Sequence, residues 1–262
     1  MKEYFNIRYE FNRERVHRAI SERVDYPGSD YICVADGVIL HHANYRRDYH
    51  EAINGGMFSI CDSSYVPLYI RLIHGHRVTQ YTGSEIFEDI VKSRKYRMMF
   101  LGTRTEILEG LRRNITEWNP DVAEMKFVEL PFCEVSEFDY ESISAMIHED
   151  NADIIWIALG APKQEYFMQR LKPHLNRGVM IAVGAAFKFY SGVSVKRAPK
   201  WMVKSHLEFL QRLVKEPKKQ FGRCVGIIKS LPHILRKEWR KKRGAMDEPE
   251  QIFNPECFYG SK

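Results

Sequence analysis

The sequence predicts an α/β protein with a Rossmann-like, mostly parallel sheet flanked by helices, followed by a basic helical C-terminal appendage. Two observations carry this prediction. From position 96 to 183, short apolar runs alternate with amphipathic stretches, which is typical of βαβ units around a parallel sheet. From position 215 to 243, eleven lysines and arginines are accompanied by only Glu216 and Glu238. A chain of 262 residues is long enough for one large domain and such an appendage.

The regular half divides into buried strands and intervening helices. Short apolar runs predict strands at 97–101, 126–130, 153–159 and 178–183. Helical spacing predicts helices that follow Gly102 as far as Asn119-Pro120, and at 140–149 and 162–171. Thr103 and Glu106 have the spacing of a capping box for the first of these helices.

The first 95 residues are less regular in pattern. Helices are predicted at 12–23, 45–54, 66–73 and 84–94, and strands at 31–34 and 57–61 are expected to join the same sheet. Neither a repeat nor a low-complexity linker marks a boundary before Ala198-Pro199. We therefore expect an α/β domain over residues 1–197 and a helical, basic appendage over 198–262, with an irregular tail beyond Ala245.

The lengths of the apolar runs and the residues after Met1 indicate where in the cell the protein is expected. The longest strongly apolar runs, such as 154–159 and 179–183, are far shorter than the ~20 residues of a membrane-spanning helix. The mixed charge after Met1 differs from the apolar stretch of a secretory signal peptide. We expect a cytoplasmic protein.

Cysteine and histidine spacing gives no indication of a metal site. The five cysteines contain no Cys-x-x-Cys pair, so we expect them to be reduced and mostly structural. The pairs His41-His42 and His74-x-His76 lack the i, i+4 spacing of a helical zinc site. Neither a metal nor another cofactor is expected.

The turns after three predicted strands are candidate ligand sites, because ligands of doubly wound sheets bind outside the carboxyl ends of the strands. In the first turn, Gly102 permits close backbone approach and Thr103 leads into a helix N-terminus, which suits a diphosphate. An ordinary βα turn explains the same residues. A P-loop is excluded because no Gly-Lys-Ser or Gly-Lys-Thr follows.

The second turn begins at Gly160 and places Lys163, Gln164 and Glu165 in the first turn of a helix. A glutamate there also favours the helix dipole, and a lysine there is also simply solvated. The third turn is Val183-Gly184, at the end of the strand over 178–183.

An ordered series of short motifs resembles the WecG/TagA/CpsF family of glycosyltransferases, family 26. The family pattern runs as a Gly-x-Pro-Lys-Gln-Glu turn, a Val-Gly turn, Arg-Ala-Pro, and Leu-Glu-Trp with Arg-Leu and Glu-Pro. This chain has Gly160 to Glu165, Val183-Gly184, Arg197-Ala198-Pro199, Leu207 to Leu213, and Glu216-Pro217. The resemblance covers roughly positions 45 to 223.

The resemblance implies a bacterial, inverting, metal-independent enzyme of cell-surface polysaccharide synthesis. It would move a sugar from a UDP-sugar to a membrane-held saccharide linked to an undecaprenyl-type lipid diphosphate. Asp62 matches the proposed catalytic base of the family, although Ser63 stands where members usually have glycine. The alternative is that Asp62 caps the helix starting near Tyr65.

The same resemblance implies a set of donor-binding candidates. Asp36 stands nearest the place of the family's asparagine, and Gln80 stands where members have an arginine. With the three turns, the candidates are Asp36, Gln80, Gly102, Thr103, Gly160, Lys163, Gln164, Glu165, Gly184, Arg197, Arg212 and Arg223. The departures at Asp36, Ser63 and Gln80 leave the donor sugar open.

The basic segment 221–243 interleaves apolar residues with lysines and arginines, which suits an anionic membrane surface. In the family, the corresponding appendage is associated with membrane attachment and closes over the active site, where Arg223 is a candidate diphosphate ligand. The protein would then lie on the inner face of the cell membrane. A helix packed on the domain with solvated lysines is the alternative, and Pro232 would interrupt either one.

Two other functions fit parts of the sequence. The basic stretch with Trp239 is compatible with nucleic-acid binding, although no nucleic-acid motif accompanies it and no such partner is expected. The departures from the family pattern are compatible with a catalytically silent partner of a sister transferase. The acceptor, the polymer and a possible homo-oligomeric state remain open at this stage.

Overall fold

A mostly parallel sheet of eight strands organises the computed structural model, which describes residues 1–193 and 217–244, with side chains from 225 onward in the second range. The strand order is β1-β2-β4-β3-β8-β7-β5-β6. The strands are β1 (Lys2–Tyr4), β2 (Ile7–Tyr9), β3 (Asp30–Ala35), β4 (Phe58–Cys61), β5 (Met98–Leu101), β6 (Phe127–Val128), β7 (Ile154–Ile157) and β8 (Val179–Ala182). The predicted α/β class is confirmed.

Helices cover both faces of this sheet. They are α1 (Arg13–Asp25), α2 (Gly37–Tyr45), α3 (Arg47–Asn54), α4 (Tyr65–His74), α5 (Gly83–Ser93), α6 (Thr105–Thr116), α7 (Tyr140–Asp150), α8 (Lys163–Leu171), α9 (Ala186–Ser191) and α10 (Pro217–Lys242), with 3₁₀ turns at Pro120–Glu124, Val135–Glu137 and Lys172–His174. One core cluster joins α2, α3, α4, α7, α8 and α10 to the sheet, and a second joins α1, α5, α6 and α9 to its other face.

The six predicted strands are present with shifted ends, while two strands and two helices of the described residues were not predicted. The hairpin of β1 and β2 pairs antiparallel at the edge of the sheet, and its strands of three residues each are too short to show a period. The helix predicted at 45–54 corresponds to α3, whereas α2, which ends before the extended backbone at Arg46, was not predicted. The short helix α9 was also not predicted.

The predicted capping box at Thr103 and Glu106 is wrong. Thr103 has a left-handed backbone with φ 60°, whereas an N-cap residue is normally extended. The N-cap of α6 is Arg104, and the Thr105 amide donates to the Glu129 carboxylate at 2.7 Å. A capping box does form at the start of α5, between Thr82 and Glu85.

Helix α10 packs on α2 and α4. Its Glu238 is buried, where Oε2 accepts the Phe5 amide at 2.9 Å and Oε1 pairs with His74 Nε2 at 2.9 Å. Pro232 does not interrupt the helix. It lies on the exposed side, where water can solvate the carbonyl of Ile228 that the missing N–H leaves without a donor. The predicted domain boundary at 197/198 falls outside the described residues.

No helix among the described residues is both long and apolar enough to cross a membrane.

The attachment of α10 depends on the buried carboxylate of Glu238. We expect Glu238→Ala to lower the free energy of unfolding by about 1–3 kcal/mol, because it leaves the buried Phe5 amide without an acceptor. Urea denaturation measures this change. Glu3→Ala is the matched control, since it removes only the exposed ion pair with Lys241 and should cost less than about 1 kcal/mol. Equal losses in the two variants would contradict the assignment.

Candidate functional site

The candidate residues gather at the carboxyl ends of the central strands. Ala35 of β3 pairs with Cys61 of β4, so Asp36 and Asp62 leave neighbouring strands side by side. On its other side, β3 pairs with β8, which ends before Gly184. The chain after β3 turns into α2 on one face, while the chain after β8 turns into α9 on the other. This divergence is the topological switch point at which open α/β sheets bind ligands.

Asp36 occupies the N-cap position of α2. Its Oδ1 accepts the amides of Val38 and Ile39 at 2.9 and 3.0 Å. A Cβ atom at Gly37 would lie 3.2 Å from Ile227 Cδ1, so α10 passes over this helix start. Asp36 therefore orders the first turn of α2 at the switch point, under the edge of α10.

Asp62 directly follows β4 and is half-buried. Its amide donates to the Ala35 carbonyl at 3.0 Å, which extends the strand ladder by one residue. Ser63 Oγ accepts the amides of Tyr65 and Val66 at 3.3 and 3.4 Å, so a serine serves the first turn of α4 in the capping role considered for Asp62. The Tyr81 amide donates to the Cys61 carbonyl at 2.9 Å, which brings Gln80 beside the end of β4.

A buried polar network joins the second and third turns. Gln164 is 4% exposed; its Oε1 accepts the Gly160 amide at 3.0 Å, and its Nε2 donates to Glu165 Oε1 at 2.8 Å. The Tyr49 hydroxyl donates to Glu165 Oε2 at 3.0 Å. A Cβ atom at Gly184 would lie 3.5 Å from Gln164 Oε1, so this side chain borders both glycine turns.

Glu165 is fully buried, unlike an ordinary first-turn glutamate. Burial raises its pKa from 4.5 to about 7, against the lowering effect of its hydrogen bonds, and the negative charge of Asp36 raises it further. Burial and Glu165 together raise the pKa of the Tyr49 phenol. Glu165 therefore orients Gln164 and Tyr49 through hydrogen bonds, and its carboxyl group has no contact with solvent.

Two other predicted groups lie apart from this network. Gly102 has φ +103°, and a Cβ atom there would lie 2.9 Å from the Ala158 carbonyl oxygen, so close packing of the β5 and β7 ends requires a glycine. The Lys163 ammonium donates to the Cys133 carbonyl and lies 5.0 Å from the ring centroid of Phe138. Lys163 therefore points towards the segment after β6.

Two groups at this edge were not predicted. Tyr49 lies on α3, 116 positions from its partner Glu165, and no local pattern marks such a pair. The start of α5 also lies here, because a Cβ atom at Gly83 would be 3.0 Å from Val34 Cγ1 of β3. The Thr82-x-x-Glu85 spacing was the available signal for this helix start.

The side chains of three predicted cationic ligands lie outside the described part of the chain. Arg197 and Arg212 lie outside the described residues, and Arg223 lies in α10 with its side chain outside them. Within the described ranges, no group of three or more His, Cys, Asp or Glu residues is arranged to hold a metal ion. The thiols of Cys33 and Cys61 are buried and unpaired with each other, in line with a structural role.

Known proteins resemble this chain over most of its length. The Glycosyl transferase WecG/TagA/CpsF family matches residues 4–244. An N-acetylglucosaminyldiphosphoundecaprenol N-acetyl-beta-D-mannosaminyltransferase of Bacillus subtilis (strain 168) is 25% identical over 87% of this chain and 90% of its own length. Proteins with the same name from Bacillus spizizenii and Staphylococcus aureus (strain MW2) are each 23% identical; coverage is 79% of both chains for the first and 81% of both for the second.

The raised pKa of Glu165 predicts a pH-dependent stability. The folded state holds the Glu165 proton up to about pH 7, whereas the unfolded chain releases it near 4.5, so this group lowers stability as pH rises between those values. Relative to wild type, Glu165→Gln should therefore gain on the order of 3 kcal/mol in unfolding free energy from pH 4.5 to 7. Urea denaturation across this range measures the gain.

Glu85→Gln is the control for this pH series. Burial raises the pKa of Glu85, but hydrogen bonds from Thr82 and Arg13 outweigh it and lower the pKa below 4.5. The difference between Glu85→Gln and wild type should be constant above pH 5. A flat difference for Glu165→Gln as well would refute the assigned role of burial.

Proposed function

Because the chain belongs to the WecG/TagA/CpsF family of glycosyltransferases, we propose that it transfers a sugar from a UDP-sugar to a lipid-diphosphate-linked saccharide of the undecaprenyl type. The names of three relatives support the acceptor class, since each is described as acting on N-acetylglucosaminyldiphosphoundecaprenol. N-acetylmannosamine is accordingly the first donor sugar to test. The product would serve cell-surface polysaccharide synthesis.

The observation that carries the mechanism is the position of Asp62 at the switch point, beside Asp36. In an inverting transfer, an acceptor hydroxyl attacks the anomeric carbon, its proton passes to a base, and the bond from that carbon to the diphosphate breaks. A half-buried carboxylate at a ligand-binding edge is suited to accept the proton. We assign this role to Asp62, with Gln80 next to it as a donor-binding group.

The leaving diphosphate needs positive potential. The N-termini of α2, α5 and α8 lie at this edge and supply partial positive charge. Gly160 and Gly184, both with positive φ, allow the backbone to approach the donor closely. Arg197, Arg212 and Arg223 are proposed as the cationic ligands, with Gly102 and Thr103 forming the outer turn of the site.

Gln164 is the proposed link between donor and scaffold. It borders the glycine turns at 160 and 184. Its amide donates to Glu165, which in turn accepts the Tyr49 hydroxyl, and these hydrogen bonds fix its orientation. A side chain restrained on both sides loses little conformational freedom when a ligand binds. Lys163 is proposed to lie further from the donor than Gln164, because its ammonium contacts the Cys133 carbonyl and the Phe138 ring.

The enzyme would meet its acceptor at the inner face of the cell membrane. The proposed contact is α10, whose residues from 225 to 242 combine apolar side chains with six lysines and arginines, followed by Arg243. Such a helix binds anionic lipid through both burial and charge.

Asp62→Asn tests the catalytic assignment. We expect turnover to fall by about 10²–10⁴-fold, because the amide cannot accept the hydroxyl proton, while donor binding persists. Release of nucleoside diphosphate is measured with a panel of UDP-sugars and a lipid-diphosphate-GlcNAc acceptor analogue. Asp25→Asn, at the far end of α1, is the control and should keep wild-type turnover.

Full turnover in Asp62→Asn would exclude Asp62 as the base. Donor binding by wild type without turnover would identify a catalytically silent partner.

Metal independence is a separate expectation. Incubation with EDTA should leave the rate of diphosphate release within about twofold of the untreated rate, because helix N-termini and arginines are proposed to stabilise the leaving group. The same assay, followed by addition of Mg²⁺ or Mn²⁺, measures this. A large loss that either ion restores would overturn the proposal.

A further inference from the structure

Exposed apolar side chains are concentrated on two helices that are distant in sequence. Of the nine large hydrophobic side chains exposed in the described ranges, five lie on α4 and α10. They are Tyr65, Leu68 and Leu72 on α4, and Ile228 and Trp239 on α10. Contiguous exposed apolar surface of this kind marks an interaction site.

The two sets of side chains form one continuous face. On α4 the spacing is i, i+3 and i+7, and on α10 residues 228, 235 and 239 follow i, i+7 and i+11, so each helix presents a single stripe. The helices pack against each other, and an open groove of about 370 Å³ lies between them. Its lining consists of Tyr69, Leu72, Ile73, Leu235, Arg236 and Trp239.

The two helices of this face carry mostly positive charge, and the exposed carboxylate that pairs with them, Glu3, comes from β1 and contacts Lys241. Helix α4 contains no Asp or Glu, and the described side chains of α10 include one, Glu238, which is buried against Phe5 and His74. Arg71 and several basic residues of α10 are exposed beside the apolar stripes. The Arg243 guanidinium lies 4.5 Å from the ring centroid of Trp239, which places an amphipathic aromatic and a cation together at the rim.

We propose that α4 shares the lipid contact already proposed for α10, so that the two helices bind an anionic lipid bilayer through one joint face. The apolar stripes enter the boundary between headgroups and acyl chains, and the basic rim neutralises the headgroups. A bilayer matches this face because the surface is apolar along both helices and has a net positive charge, most of it on α10. This proposal rests on the proposed function and extends it, since it assigns lipid contact to the catalytic sheet's own helix as well as to the appendage.

The contact made by α4 has a consequence for catalysis. Tyr65, at the head of the stripe, is three positions after Asp62, and α4 extends about 15 Å beyond it. Docking through α4 therefore holds the carboxyl edge at a fixed height above the lipid surface. An acceptor sugar on a lipid diphosphate would meet Asp62 there without leaving the membrane.

The test is cosedimentation of the full chain with vesicles of phosphatidylglycerol and phosphatidylcholine. Wild type should sediment with these vesicles and not with phosphatidylcholine alone. The double variant Leu68→Gln/Leu72→Gln should bind at least ~10-fold more weakly, because two exposed leucines lose their burial in lipid while helix propensity is kept. Trp239→Gln should also weaken binding. The control is Tyr26→Gln, because Tyr26 is about as exposed as Leu72 (67% compared with 73%) but lies on the opposite face of the sheet. This variant should bind vesicles like wild type.

Binding is read without turnover, so failure of the proposed reaction and failure of this proposal are distinguishable. Turnover with a water-soluble, short-chain acceptor should be the same in the double variant and in wild type. Vesicle binding that is lost in Trp239→Gln but intact in the double variant would overturn the role of α4. Absence of wild-type binding would also overturn the proposal. So would a wild-type dimer, measured by light scattering, that the double variant dissociates, since this face would then join two copies of the chain.

Discussion

The parallel pairing of β4, β3, β8 and β7, in that order, determines where the central candidate groups lie. Parallel strands end at the same edge of a sheet, so the register Ala35↔Cys61 sets Asp36 beside Asp62. Helix α2 follows β3 on one face of the sheet and α9 follows β8 on the other, which opens the edge between them. The site is thus a result of topology: residues from four separate turns meet because their strands are neighbours.

Beneath this edge lies a buried carboxyl group, that of Glu165, whose burial lowers the stability of the folded protein at neutral pH. Glu165 is fully buried, and burial makes its charged form unfavourable despite hydrogen bonds from Tyr49 and Gln164. An apolar side chain would pack there without that cost. The arrangement holds Gln164 in one orientation between the glycine turns, which is the property a donor-binding edge requires.

Helix α10 connects the site to the rest of the surface. Near its middle, Ile227 covers the start of α2, and near its C-terminus Glu238 binds the Phe5 amide and His74. The helix thereby spans the face of the domain from the carboxyl edge to the N-terminal hairpin. This position turns α4 and α10 into neighbours, so that two separate amphipathic stripes become one surface.

The sequence by itself determined the α/β class, the six main strands and the family, because apolar runs, helical spacing and short motifs are local signals. It also placed Asp36, Asp62, Gly160 and Gly184 at strand ends, where a ligand edge was expected. The tertiary structure decided the rest. The pairing of Tyr49 with Glu165, the withdrawal of Lys163 towards Cys133, and the joint face of α4 and α10 all depend on contacts between distant segments, which leave no period or spacing in the chain.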